Sequence, residues 1–276
     1  MHYLNLVVLY EENIFDSSTI NSIIHAKDSL DGSKIVIWDN SLLKQSLSDV
    51  VELKSLLSNM TVEYMHNGEN LALSKVYNIF RTKYNSNYEF IILMDQDSEF
   101  DSRLFITHQN IVKNDEINNL YLPVIKFKGN IVSPAHFYFF KGFQYKNNPI
   151  GKVDAKYKTA INSCMIINFN YFCNLFEGYD ERLNFYGTDD DFMIKYQKLN
   201  KYFYVLDYEL EHDLTFSFAN DDTKKILSRY KEANSALMIN NEQNKFIPSL
   251  FLRVYLKVRS LYLTLRFRDI GFLDDL

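Results

Sequence analysis

Four short apolar runs, each followed by an amphipathic or polar stretch, constrain the first hundred residues more than any other feature. The runs are residues 4–10, 34–38, 62–65 and 90–94. Between them lie apolar residues at helical spacing. Ile20, Ile23, Ile24 and Leu30 follow a cap at Asp16 or Ser17; Val50, Leu53, Leu56 and Leu57 come next; then Leu73, Val76, Ile79 and Phe80 within residues 71–81. Strands with little polar alternation are buried on both faces, and strands joined through helices pair in parallel. The pattern predicts an α/β fold with a mostly parallel central sheet flanked by helices. In such sheets ligands bind beyond the carboxyl ends of the strands. Three polar clusters fall there and should meet on one rim: Tyr10-Glu11-Glu12, Asp39-Asn40-Ser41 and Asp95-Gln96-Asp97.

The second half is less regular and predicts a smaller mixed region. Residues 120–127 and 131–140 read as strands with antiparallel pairing, 141–158 as a polar loop, and 161–169 as another apolar run. A helix opens at Gly187-Thr188-Asp189-Asp190-Asp191-Phe192. Without a repeat or a low-complexity linker, residues 1–240 read as one domain, with halves 1–100 and 101–240, and 241–276 as a helical extension. Within that extension, residues 248–268 mix apolar side chains with Arg253, Lys257, Arg259, Arg266 and Arg268. On a helical wheel Arg253, Lys257, Ser260, Thr264 and Arg268 share one stripe. Two readings stay open: a basic amphipathic helix making peripheral contact with a membrane, or a helix packed on the domain or in a homodimer. The aromatic segment 137–140 offers a second such interface.

Composition narrows the classes. Apolar residues make up 47 %, enough for a large core. Eight Gly, four Pro and two Cys exclude collagen-like, disordered and disulfide-framework chains. A net charge of −5 argues against nucleic acid as the partner. No secretory leader and no membrane span are expected, so a reduced, cytoplasmic protein is the default.

Asp95-Gln96-Asp97 is the sharpest chemical feature. Carboxylates at i and i+2 on an extended strand end point to the same side and repel unless a cation lies between them. Hard divalent ions take such oxygens and keep a substrate phosphate as a further ligand. Asp39 ends a buried strand, where an acidic residue either closes a turn or holds a ribose or base edge. Asp189, Asp190 and Asp191 suit the positive end of a helix, yet a carboxylate among like charges also has the raised pKa of a general base. His212 follows an apolar run and reads equally as a metal ligand or a surface residue.

Taken in order, four segments resemble the inverting nucleotide-sugar glycosyltransferases of the GT-A fold, family 2. They are residues 36–41, 70–78, 90–98 and 187–192, and the resemblance spans residues 3–215. The form Asp95-Gln96-Asp97-Ser98 is similar to that of bacterial rhamnosyltransferase-like members that build surface polysaccharide such as O-antigen or capsule. The resemblance implies a Rossmann-like nucleotide half and an acceptor half. It implies a dTDP- or UDP-sugar donor and a surface-glycan or lipid-linked acceptor, at the inner face of the plasma membrane. Leu9, Tyr10, Glu12, Asp39 and Asn40 would surround the nucleoside, and Asn70, Ser74 and Asn78 would line the nucleotide site. Asp95, Gln96 and Asp97 would hold the diphosphate with Mn²⁺ or Mg²⁺, and His212 would add a metal ligand. Asp189 falls on the catalytic base. Thr188 replaces the family's usual acid, which leaves a register with Asp190 as the base open, and Asp191 completes the acidic run. Ala72 stands where Gly is common. Two alternatives remain: a catalytically degenerate domain that binds a nucleotide or a protein, and a phosphohydrolase using Asp95 and Asp97. The latter motif normally follows a first strand, and here it follows the fourth.

Overall fold

In a computed structural model of the chain, the described residues are 1–84, 88–114, 117–138, 140–211, 223–243 and 249–273. The first four strands and their helices alternate as expected: β1 (Tyr3–Leu9), α1 (Ser18–Ala26), β2 (Lys34–Asp39), α2 (Leu47–Leu56), β3 (Thr61–His66), α3 (Leu73–Lys83) and β4 (Phe90–Asp95). The strands stand in the order β3-β2-β1-β4, all parallel. Ser17, not Asp16, caps α1: its hydroxyl accepts the Ile20 amide at 3.3 Å. Alternate residues of β1 enter opposite layers. Leu4, Leu6 and Val8 pack with Val76, Tyr77 and Phe80 of α3. Tyr3, Val7 and Leu9 pack with Ile20 and Ile23 of α1 and Val50 and Leu53 of α2. Each such aliphatic side chain contributes about 1.5–3 kcal/mol on burial. Two expected inward residues, Leu56 and Ile79, are instead exposed.

The chain continues through α4 (Arg103–Lys113), β5 (Leu120–Phe127), β6 (Asn130–Ser133), β7 (Ala135–Tyr138), β8 (Lys141–Phe143), β9 (Gly151–Asp154), β10 (Lys158–Thr159), β11 (Met165–Asn168), α5 (Thr188–Leu199) and β12 (Tyr202–Glu211). β11 inserts antiparallel between β4 and β5, β12 runs parallel to β5, and β9 closes the edge antiparallel to β12. β6 folds back on β5, and β10, β7 and β8 form a small separate sheet. The expected strand over 131–140 divides around Pro134, which has no N–H for a ladder. The expected loop over 141–158 carries three strands. β9 is a polar edge strand of alternating half-buried and exposed residues, so no apolar run marks it.

Under the sheet, the Tyr3 hydroxyl hydrogen-bonds His108 Nδ1 at 2.9 Å, and the His108 imidazole stands edge-on to Phe90 and Tyr121. Burial pushes the imidazole down from 6.5 to about 3, so it is neutral in the fold. The unfolded chain binds a proton here below about pH 6.5 and the native chain does not, so stability is full above that pH and declines as pH falls. The expected loss is on the order of 2 kcal/mol by about pH 4.5. Denaturant unfolding across this range checks it, and His108→Gln should show a shallower decline.

Two helices follow, α6 (Thr223–Gln243) and α7 (Ser249–Phe267). The expected division at residue 240 falls inside α6. Toward its end α6 packs on α5, and toward its start Ile226 and Tyr230 meet Leu263 and Phe272. Ser260, expected on the polar stripe of α7, is instead buried against the Tyr230 hydroxyl at 2.8 Å. Among the described residues no helix is long and apolar enough to cross a membrane.

Candidate active site

The carboxyl ends of β1, β2 and β4 meet the start of α5 around a cavity of about 690 Å³. Val8 and Tyr10 from β1 and its end, Asn40 after β2, and Asn70, Leu73 and Tyr77 at α3 form one wall. Asp95, Gln96 and Asp97 form the floor, and Ile161, Asn162, Phe185, Tyr186, Thr188 and Asp189 form the opposite wall.

The turn after β4 is held from three directions. The Gln96 side chain accepts the Tyr10 amide at 2.7 Å. The Gln96 carbonyl accepts the Ser17 hydroxyl at 2.6 Å and the Thr19 amide at 3.2 Å. Thr19 also donates to the Asp95 carbonyl and accepts the Ser98 amide. The start of α1 therefore fixes the backbone that carries both carboxylates. Ser163 donates to Asp95 Oδ2 at 2.6 Å. Nothing in the apolar run around Ser163 signals this contact. Two residues beside the cavity, Glu11 (φ 51°) and Cys164 (φ 58°), adopt the left-handed backbone at a cost of about 1–2 kcal/mol each.

Of the three adjacent acids, only Asp189 lines the cavity. Its carboxyl is held well above the ordinary range by burial, then by the charges of Asp95 and Asp190. Asp190 is raised by burial and accepts the Thr159 hydroxyl. Asp191 is fully buried, pairs with Lys195 at 2.9 Å and accepts the Asp180 amide at 2.9 Å. The helix begins at Gly187 (φ 82°), where an added Cβ would meet Ala236 Cβ of α6 at 2.7 Å. Asn240 of α6 donates to the Gly187 carbonyl at 2.9 Å. Only glycine permits this turn and this approach together.

The other expected site residues divide. Tyr10, Asn40, Asn70 and Gln96 line the cavity. The Asn40 amide donates to Asn70 Oδ1 and the Leu71 carbonyl, and its oxygen accepts the Leu71 amide, so it shapes the wall. Asp39 is buried behind that wall, accepting the Ser41 amide and the Tyr64 hydroxyl. Leu9 is buried in the core, and its carbonyl accepts the Asn40 amide at 2.7 Å. Glu12 lines an adjoining cavity with Asp16 and Ser41, and burial and then Asp97 raise its pKa. Ser74 and Asn78 bond the segment before α5, donating to the carbonyls of Leu183 and Tyr179. Their partners lie about a hundred residues away, out of reach of any local pattern. His212 lies outside the described residues.

Among the described residues no group of three or more His, Cys, Asp or Glu stands ready to hold a metal. Asp95 and Asp97 nevertheless share one cavity with Asp189, and no Lys or Arg is among its lining residues. An oxygen-only, anionic donor set of this kind fits Mg²⁺ or Mn²⁺.

No protein-family model matches the chain, and no curated protein matches it. Solved structures do. A crystal structure of Staphylococcus aureus TarS 1-349 superposes with a TM-score of 0.55 at 13% identity, covering 99% of this chain and 89% of that one. GalNAc-T7 with UDP, GalNAc and Mn²⁺ gives 0.59 at 16%, covering 98% and 53%. The chain thus spans about half the length of GalNAc-T7. A Pyrobaculum calidifontis mannosyltransferase in complex with GDP-Man and Mn²⁺ gives 0.54 at 11%, covering 91% and 67%. The chain has the GT-A glycosyltransferase fold. These matches span nearly the whole chain.

Proposed function

We propose that the chain is a metal-dependent inverting glycosyltransferase of the family 2 type. The observation that carries this reading is the meeting of Asp95, Asp97 and Asp189 around one cavity at the strand ends of a GT-A fold. Asp95 and Asp97 would hold Mn²⁺ or Mg²⁺, which when bound supplies positive charge to the leaving diphosphate. Asp189 takes the proton of an acceptor hydroxyl. That oxygen attacks the anomeric carbon from the face opposite the nucleotide, and the bond to the diphosphate breaks with its electron pair. One displacement inverts the centre. Burial raises the Asp189 carboxyl above its ordinary range, which makes it a stronger proton acceptor than an exposed carboxylate.

We assign the donor to the dTDP- or UDP-sugars, a choice supported by the UDP in the GalNAc-T7 structure. A surface glycan or lipid-linked acceptor rests on the likeness of Asp95-Gln96-Asp97-Ser98 to the rhamnosyltransferase-like members alone. Residues 1–100 serve the nucleotide and 101–240 the acceptor, with 241–276 as the extension. Two free thiols, Cys164 and Cys173, support a cytoplasmic setting. Incubation with a panel of nucleotide sugars tests the reading. Metal-dependent release of nucleoside diphosphate from one donor is expected. Release from none, with or without acceptor extract, sinks it.

A further inference from the structure

The outer surface of α7 has a composition that the donor chemistry does not use. Its inner seam is narrow: Leu252, Leu256, Ser260 and Leu263 are buried. At 3.6 residues per turn the opposite side is one continuous apolar arc, formed by Leu250, Phe251, Val254, Val258, Leu261 and Leu265, with Tyr255 and Tyr262 at its margin. The arc is open to solvent: Leu250 is 68%, Val258 65% and Leu265 73% exposed. Among the described residues its one aromatic cover is Phe140, stacked on Tyr255 at 5.4 Å.

The borders of the arc are cationic on both sides. Arg253 and Lys257 lie between seam and arc on one side and Arg266 on the other, while the half-buried Arg259 stacks on the Tyr230 ring of α6 at 5.0 Å. The helix contains no Asp or Glu, although the chain as a whole carries a net charge of −5. An apolar arc flanked by long basic side chains matches a helix lying in the plane of a bilayer. The arc enters the acyl boundary, and the cations reach back to phosphates. A second copy fits less well. A two-fold contact sets the same face against itself, so the basic borders of the two helices would oppose one another.

We propose that α7 docks the protein on an anionic phospholipid surface, with the arc from Leu250 to Leu265 embedded and Arg253, Lys257 and Arg266 at the headgroups. This goes beyond the proposed transfer reaction and does not depend on it. The buried seam fixes the helix to α6 through Leu263 against Ile226 and Tyr230, so the protein would sit on the membrane as a body.

Flotation of the full chain with phosphatidylcholine vesicles, with and without about a third phosphatidylglycerol, tests the proposal. Binding to the anionic vesicles is expected, weakening with salt. Arg253→Glu and Lys257→Glu should each weaken it by about fivefold or more. Val258→Glu combined with Leu265→Glu should weaken it by more than about tenfold. All four sites are exposed, so melting temperature and nucleotide binding should be unchanged, which separates this test from that of the transferase reading. Three results would overturn the proposal: no flotation with anionic vesicles at low salt, equal flotation of the charge-reversed variants, or a concentration-dependent dimer abolished by Val258→Glu.

Discussion

Asp189→Asn leaves the fold and nucleotide binding intact and lowers sugar transfer by about 10²–10⁴-fold, the range for loss of a positioned general base. The amide fills the same space and can still accept from Thr188, but it cannot take a proton from the acceptor. It also removes a charge that burial and Asp95 oppose, so the melting temperature should hold or rise. Initial rates at saturating donor, with a thermal melt on the same preparation, check both halves. Full activity in this variant would move the base away from Asp189, with Asp190 next in line.

Asp191→Ala should act through stability. Asp191 and Lys195 are both buried, and their pair is joined by the Asp180 amide on the carboxylate and the Gly178 carbonyl on the ammonium. Removing the carboxylate leaves an uncompensated buried cation, at an expected cost of about 3–5 kcal/mol. For a domain of this size that lowers the melting temperature by roughly 10 °C. Denaturant and thermal unfolding measure the loss. An unchanged melt with abolished transfer would assign Asp191 to the chemistry. Neighbouring carboxylates on one helix turn thus separate into one that faces the cavity and one that holds the helix to the preceding segment.

That separation marks the limit of what was legible in the sequence. The parallel half was readable because β1, β2 and β4 are buried on both faces and spell it in apolar residues. The strand-end rule then put Tyr10, Asn40, Asp95 and Asp97 on one rim, where they line the cavity. The acidic run announced a site, but its local pattern is the same whichever acid points inward. Its orientation comes from Gly187 against α6, from Thr159 on β10 and from Lys195, contacts made by the tertiary fold. Ser74 and Asn78 read as nucleotide residues through the family resemblance of residues 70–78. Their polar atoms are taken up by residues 179–183. The polar edge strand β9 and the clamp from Ser163 to Asp95 left no periodic trace. On α7 the basic stripe was visible and its direction was not, since Ser260 turns inward to a tyrosine thirty residues away.

In the proposed reaction the cavity binds a nucleoside diphosphate through a metal held by Asp95 and Asp97. Calorimetric titration with UDP, dTDP and GDP, each with Mn²⁺ and again with EDTA, tests it most directly. Binding of one nucleotide, dependent on the metal and lost in Asp97→Ala, is expected. Binding that persists in EDTA, or that Asp97→Ala leaves unchanged, would contradict the metal role. Binding of none of the three would contradict the transferase reading.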